Sequence, residues 1–113
     1  MPKSVAVFCG AAPGNDPRFA ASARALGAAL ARSGRRLVYG GGSVGLMGAV
    51  ADGALEHKGE ITGVITRQLV GKELAHRSVA DMRVVETMHE RKMIMAGMAE
   101  AFIALPGGFG TLD

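Results

Sequence analysis

The sequence is poor in cysteine and in aromatic side chains. Its 113 residues include one cysteine, one tyrosine, four phenylalanines and no tryptophan. The lone Cys9 cannot form an internal disulfide, and because it closes an apolar run we expect it to be a small buried side chain. So few aromatic residues cannot build a stacking platform for single-stranded nucleic acid, so we expect no nucleic-acid partner.

Long hydrophobic runs and strong charge are also missing. The apolar run within MPKSVAVFCG (1–10) is too short for a signal peptide, and no stretch could span a membrane. We therefore expect a cytoplasmic protein with no membrane partner. The net charge of +3 indicates only a mild preference for anionic ligands. His57, His76 and His89 show no ligand spacing, so we expect no metal, and we expect no cofactor.

Apolar β-branched runs alternate with helical patterns along the chain. We predict strands at 4–10, 36–40, 60–66, 83–87 and 101–105. Helices are predicted from about 16 to 33, from Ser43 onward, over 88–100 and from near Thr111, while 67–82 is predicted as a loop with one helical turn. Strands that are apolar throughout favour a parallel sheet covered on both faces. The fold prediction is a doubly wound, Rossmann-like α/β domain over residues 1–113, truncated at its carboxyl end because further elements would be needed to complete the sheet.

Two helices carry signals for their ends and their buried faces. Gly34 is placed to end the first helix. Ser43 is predicted as the N-cap of the second helix. The apolar residues at helical spacing are Phe19, Ala23, Leu26 and Leu30 in the first helix, and Met47, Val50, Ala51 and Ala54 in the second.

Glycines are concentrated in two loops, YGGGSVGLMG (39–48) and LPGGFGTLD (105–113). Each follows a predicted strand, and in α/β sheets ligands bind beyond the carboxyl ends of the strands. Backbone N–H groups and a helix amino end would suit a phosphate there, so Gly41, Gly42 and Ser43 are candidate phosphate-binding residues. A tight turn without a ligand is the alternative for each loop. Two such loops at one edge of a sheet favour phosphate binding.

The segment GGGSVG also matches the G-x-G-x-x-G dinucleotide fingerprint. The match is weak, because the segment follows the second strand, and the next strand ends in Thr66 and Arg67 where an acidic ribose partner is needed. An NAD(P)-binding oxidoreductase fragment is therefore the least favoured function. The G-x-x-x-x-G-K-[ST] motif is absent, so nucleoside-triphosphate hydrolysis is not expected.

The stretch TMHERKMIMAGMAE (87–100) places an arginine among apolar residues. The apolar arc of this helix is formed by Met88, Ile94, Met95, Met98 and Ala99. Arg91 falls inside that arc, and a cation in the first turn also opposes the helix dipole. Such a residue needs a partner. Either the guanidinium pairs with a buried carboxylate or it faces an anionic ligand, and the two glycine loops favour the ligand.

Five segments together resemble the Lonely Guy family of cytokinin-activating phosphoribohydrolases, which is often labelled lysine decarboxylase-like. They are VFCG (7–10), LVYGGGSVGLMG (37–48), GVIT (63–66), MHERK (88–92) and AFIALPGGFGTLD (101–113). The resemblance implies hydrolysis of the N-glycosidic bond of cytokinin (N6-prenyladenine) riboside 5′-monophosphates, with AMP as a further candidate substrate. The products would be the free base and ribose 5-phosphate. A homodimer is also implied, and a non-catalytic nucleotide-binding module is the alternative.

The resemblance also assigns roles to individual residues. Arg91 corresponds to the catalytic arginine, and Glu73 to a substrate-contacting acid. The remaining substrate-binding candidates are Lys92, Gly107, Gly108, Phe109, Gly110, Thr111, Leu112 and Asp113. In the family pattern P-G-G-x-G-T-x-x-E the catalytic glutamate would come directly after Asp113, which is not its replacement. No Schiff-base lysine or pyridoxal site supports the decarboxylase label.

The first of the five segments departs from the family. Where the family commonly has CGSS, this chain has Cys9-Gly10-Ala11-Ala12. Two hydroxyl groups are therefore absent, and any ligand contacts they would make are absent with them.

Overall fold

The computed structural model describes residues 3–8, 17–71 and 74–105. The strands are β1 (Ser4–Phe8), β2 (Arg36–Tyr39), β3 (Ile61–Thr66), β4 (Asp81–Val85) and β5 (Ala101–Ala104). The helices are α1 (Pro17–Arg32), α2 (Gly45–Glu56), α3 (Arg67–Gly71) and α4 (Met88–Met98). The predicted helical turn in 67–82 corresponds to α3.

These strands form one parallel sheet in the order β4-β3-β2-β1-β5. Val5 of β1 lies opposite Leu37 on one side and Ala101 on the other. The chain moves outward from β1 to β4 and then returns across β1 to place β5. The carboxyl ends of β1 and β5 therefore flank the switch point where open α/β sheets bind ligands.

Helices cover both faces of the sheet. On one face, α1 and α2 pack over a cluster that includes Val5, Val7, Leu37, Tyr39, Ala23, Leu30, Val50, Ala51 and Ala54. On the other face, Met95 of α4 packs over the alternate strand residues Ala6, Val38, Val64 and Val85. Successive side chains of a strand point to opposite faces, so burial of both faces explains strands that are apolar throughout. The predicted doubly wound α/β sheet is confirmed.

The helices α1 and α2 approach each other closely at two glycines. An ideal Cβ on Gly27 would lie 2.0 Å from the main-chain oxygen of Val50, and one on Gly53 would lie 2.0 Å from that of Arg24. No larger side chain fits between the two backbones. Gly34, at φ 73°, follows the end of α1 as predicted. No helix among the described residues is long and apolar enough to cross a membrane.

The predicted start of α2 is wrong. The helix begins at Gly45, and its N-cap is Val44, which makes no side-chain capping bond. Ser43 precedes the cap because its N–H donates to the carbonyl oxygen of Leu74 at 2.9 Å. This pairing keeps Ser43 out of the helix.

The predicted bounds of β4 are also wrong, since the strand spans Asp81–Val85 and not 83–87. Thr87 is used to begin α4: its hydroxyl accepts from the N–H of Glu90 at 3.0 Å, and the Glu90 carboxylate accepts from the N–H of Thr87 at 3.1 Å. This capping box removes Thr87 from the strand. At the other end, Thr62 donates to Asp81 at 2.8 Å across the β3–β4 pair.

Candidate active site at the carboxyl edge of the sheet

The loop that follows β2, residues Gly40–Ser43, is held by its main-chain carbonyls, and we call it the glycine loop. The carbonyl of Gly40 accepts a hydrogen bond from the guanidinium of Arg91. The carbonyl of Gly41 accepts from the backbone N–H of His76 at 2.9 Å, and that of Gly42 accepts from the hydroxyl of Tyr39 at 3.1 Å. These donors come from α4, from a distant loop and from β2. The loop is therefore fixed from three directions at the carboxyl edge of the sheet.

The segment Leu74–His76, which we call the strap, pairs with the glycine loop. Ala75 forms an antiparallel bridge with Gly42. The N–H of Ser43 donates to the Leu74 carbonyl at 2.9 Å on one side of this bridge, and the N–H of His76 donates to the loop on the other. The N–H of Ser43 is thus already bonded within the chain. The predicted role of Ser43 in phosphate binding stays a prediction.

Arg91 lies beside the glycine loop and is only 7% exposed. Its Nε donates to the carbonyl oxygen of Val64 at 2.8 Å, and its Nη2 donates to that of Gly40. The sulfur atoms of Met88 and Met47 lie 3.5 and 3.8 Å from its terminal nitrogens. The two carbonyls have no formal charge, so these bonds orient the guanidinium without cancelling its positive charge.

The absence of a side chain at Gly40 makes room for this arginine. An ideal Cβ at Gly40 would lie 1.9 Å from Nη2 of Arg91 and 2.8 Å from its Cζ. Real Cβ atoms do not approach other atoms so closely, so any other residue at this position would displace the guanidinium. The glycine-rich sequence here serves the arginine as well as the turn.

The orientation of α4 agrees with the predicted burial of Arg91. His89, Glu90 and Lys92 are exposed, while Arg91 and Met95 are buried. Met88 was expected in the apolar arc, and that prediction is wrong, because its side chain is 51% exposed and its sulfur contacts the guanidinium. The capping box at Thr87 fixes the start of the helix and with it the position of Arg91.

Of the predicted site residues, Gly41, Gly42 and Ser43 lie in the glycine loop beside Arg91, and Lys92 follows on the exposed side of α4. Others lie outside the described residues, and their roles stay predictions; they are Cys9, Gly10, Ala11, Ala12, Glu73, Gly107, Gly108, Phe109, Gly110, Thr111, Leu112 and Asp113. The helix predicted from near Thr111 is also outside them.

Sequence reasoning missed two residues that hold the loop, Tyr39 and His76. Tyr39 is fully buried at the end of β2, and a buried phenol needs a hydrogen-bond partner, which was an available signal. His76 lies in a stretch without periodicity, and nothing in that stretch indicated a contact with Gly41. The residues that the structure describes contain no group of three His, Cys, Asp or Glu side chains that could hold a metal ion.

A shallow cavity of about 300 Å³ lies at the opposite, amino-terminal edge of the sheet, lined in part by Arg36, Glu60, Thr62 and Asp81. Its polar groups bond to one another, since Arg36 pairs with Glu60 at 3.2 Å and Thr62 donates to Asp81. The hydrogen bond from Thr62, and then that from Arg83, holds the pKa of Asp81 below its usual value. These contacts tie strands together, and we do not assign a ligand to the cavity.

Comparison with known proteins identifies relatives along almost the whole chain. Residues 47–113 match the family described as "Possible lysine decarboxylase". The chain is 50% identical over 113 residues to the cytokinin riboside 5′-monophosphate phosphoribohydrolase of Rhodococcoides fascians, covering 99% of this chain and 57% of that protein. It is 51% identical over 110 residues to the protein of the same name from Mycobacterium marinum, covering 97% and 58%. The chain thus spans a little under three fifths of the length of these relatives.

Solved structures share the fold. The molybdenum cofactor binding protein of Rippkaea orientalis matches with a TM-score of 0.83 at 25% identity, covering 99% of this chain and 67% of that one. The molybdenum cofactor carrier protein of Chlamydomonas reinhardtii matches with a TM-score of 0.78 at 26% identity, covering 98% and 66%. The resemblance of the five segments is confirmed by the sequence relatives, and the chain belongs to the family described as possible lysine decarboxylases.

Proposed function

We propose that this protein hydrolyses the N-glycosidic bond of a nucleoside 5′-monophosphate, releasing the free base and ribose 5-phosphate. N6-prenylated adenine is the proposed base, and AMP is a further candidate substrate. One observation carries the proposal. Arg91 is fixed beside the glycine loop at the carboxyl edge of the sheet, in a chain about half identical to proteins named for this reaction.

In this reaction the electron pair of the bond between C1′ and the base leaves with the base. The sugar then has the character of an oxocarbenium ion, as in glycoside hydrolysis. Water supplies a hydroxyl to C1′ and a proton to the base. A group that stabilises the negative charge developing on the base accelerates this step, and a carboxylate stabilises the sugar cation. We assign the first role to Arg91 and the second to the glutamate that the family pattern places after Asp113.

The setting of Arg91 suits a charge that must stay in one place. Bonds to two main-chain carbonyls hold the planar guanidinium in one orientation. At 7% exposure it lies largely out of water, where electrostatic interactions are stronger than in solvent. A lysine could not make both bonds from a planar fork.

The family description names a decarboxylase, but the sequence relatives support hydrolysis. Amino-acid decarboxylation by a pyridoxal enzyme needs a Schiff-base lysine and a cofactor site. Lys92 is the only basic neighbour of Arg91 in the MHERK segment, and it lies on the exposed side of α4. We therefore assign Lys92 a contact with the nucleotide and not a covalent role.

A second candidate function is non-catalytic binding of a nucleotide or another phosphate-containing ligand. The observation in its favour is the likeness in fold to proteins described as a molybdenum cofactor binding protein and a carrier protein. Binding without turnover would need the glycine loop, but it would not need Arg91 to stabilise negative charge on a leaving base. The two candidates therefore differ in the fate of the bound ligand.

One experiment separates them. The purified protein is incubated with AMP and with isopentenyladenosine 5′-monophosphate, and released base is measured by chromatography while binding is measured by calorimetry. Release from either nucleotide, with much less from the matched nucleoside that lacks the phosphate, supports the hydrolase. Binding with no release supports the carrier-like module. Neither binding nor release would contradict both candidates.

The resemblance further implies a homodimer, and we keep it as part of the proposal together with the cytoplasmic location expected from the sequence. The exposed apolar side chains on two described elements, Met93 of α4 and Phe102 of β5, are compatible with subunit contacts. Light scattering of the purified protein should give twice the mass of the chain. A monomer at micromolar concentration would contradict the dimer and leave the proposed reaction untouched.

A further inference from the structure

The strap carries a histidine whose side chain reaches α2. Nε2 of His76 lies 2.8 Å from Oδ1 of Asp52, and the imidazole is only 11% exposed. Nδ1 accepts a hydrogen bond from the N–H of Ser78 at 3.2 Å. Because Nδ1 accepts a hydrogen bond, it carries no proton in the neutral ring. Nε2 is therefore the protonated nitrogen, and its N–H donates a hydrogen bond to Asp52.

The partner of His76 is itself anchored. One guanidinium nitrogen of Arg24 on α1 lies 4.0 Å from Asp52, and another lies 3.0 Å from Glu56 one turn further along α2. Since α1 and α2 are in backbone contact, Asp52 stands on a rigid pair of helices. The imidazole therefore attaches the strap to the closely packed pair of helices α1 and α2.

The main chain of the same residue holds the glycine loop. The N–H of His76 donates to the carbonyl of Gly41 at 2.9 Å. A peptide unit is planar, and the described chain contains no cis peptide, so a carbonyl and the N–H of the next residue point in opposite directions. Fixing the Gly41 carbonyl therefore fixes the direction of the Gly42 N–H, and Gly42 is one of the candidate phosphate-binding residues.

We propose that His76 is a positioning residue for nucleotide binding. Through Asp52 it holds the strap in place, and through its own N–H it sets the direction in which the glycine loop presents its amides. It touches neither the ligand nor the reacting atoms. This inference rests on the proposed function, because it names what aligns the phosphate-binding loop of that same site.

The test compares His76→Ala with His57→Ala, which removes an exposed histidine just after α2. In His76→Ala the KM for AMP or isopentenyladenosine monophosphate should rise about tenfold, which is the loss expected when one amide of the glycine loop no longer donates to the charged phosphate. The kcat should stay within about twofold of wild type. Asp52→Ala should have the same effect, and the double variant should add little. His76→Gln keeps an N–H that can donate to Asp52 and should recover most of the affinity.

A second measurement needs no substrate. Hydrogen exchange of the Ser43 amide, which donates to Leu74 of the strap, should be faster in His76→Ala and unchanged in His57→Ala. An active wild type whose KM and Ser43 exchange are both unaffected by His76→Ala would overturn the inference and leave the proposed function standing. A wild type that neither binds nor cleaves a nucleotide would overturn the proposed function, and the nucleotide role of His76 with it.

Discussion

At the scale of single residues, the site depends on a glycine and an arginine that share one space. Because a methyl group at position 40 would lie 1.9 Å from Nη2 of Arg91, Gly40→Ala must displace the guanidinium. We predict that kcat/KM for base release falls by about a hundredfold, the usual cost of losing one electrostatic donor. Chromatography of the released base over a range of isopentenyladenosine 5′-monophosphate concentrations measures kcat/KM.

The matched control is Gly97→Ala in α4, where a Cβ would meet no atom within 4 Å. This variant should keep wild-type kinetics and gain about 0.5–1 kcal/mol of stability, since alanine is favoured over glycine within a helix. A folded Gly40→Ala protein with wild-type kcat/KM would show that the position of Arg91 does not matter for turnover.

A second prediction concerns Asp81, whose pKa is lowered first by the hydrogen bond from Thr62. A carboxyl group with a lowered folded-state pKa adds stability above its usual value of 3.8, and this contribution is lost as the pH falls through the lowered pKa. Thr62→Val should therefore cost about 1 kcal/mol or less at pH 7, because Asp81 stays partly solvated. The cost should shrink as the pH falls through the lowered pKa. Urea unfolding at pH 7 and at successively lower pH values measures it, and an equal loss at every pH would contradict the assignment.

Sequence alone could identify Arg91 but not its partners. The arginine stood out because it interrupts an apolar arc at helical spacing. Two of its bonding partners are main-chain oxygens 27 and 51 residues away, and main-chain atoms leave no signature in the residue types. The contact between His76 and Gly41 also joins two main-chain atoms, so the residue types give no sign of it.

At the scale of elements, the start of α4 determines where Arg91 is presented. Thr87→Ala removes the hydroxyl of the capping box and should lower stability by about 1 kcal/mol, and fraying of the first turn should also weaken base release. Thr87→Ser keeps the hydroxyl and is the matched control. Chemical unfolding measures the loss, and equal stabilities for the two variants would argue that the cap has no structural role.

Element boundaries were predicted least well where one residue could serve two elements. Thr87 suits a strand by its β-branched side chain, yet the glutamate three residues later recruits it as a helix cap. Ser43 suits an N-cap, yet the strap holds its N–H in an antiparallel bridge. The T-x-x-E motif that recruits Thr87 is visible in the sequence, whereas Leu74, which bonds Ser43, lies 31 residues away and is brought there by the fold.

At the scale of the whole molecule, the fold class followed from the alternation of apolar strands with helices. Burial of both strand faces requires helices on both sides, so this prediction depended on composition and spacing alone. The strand order β4-β3-β2-β1-β5 could not be obtained in that way, because strands that are apolar on both faces look alike in sequence. That order brings β2 and β3 together beneath α4, and so allows one arginine to bond both to β3 and to the glycine loop that follows β2.

The most direct test of the proposed role of Arg91 is kcat/KM for base release from isopentenyladenosine 5′-monophosphate in Arg91→Ala and Arg91→Lys, with melting temperatures measured alongside. The control is Gly97→Ala, six residues further along α4, where an added Cβ would meet no atom within 4 Å. Both arginine variants should lose at least about a hundredfold, since neither restores a planar donor fixed to two carbonyls. The control should match the wild type. A folded Arg91→Ala protein that releases base at the wild-type rate would contradict the catalytic role of this arginine.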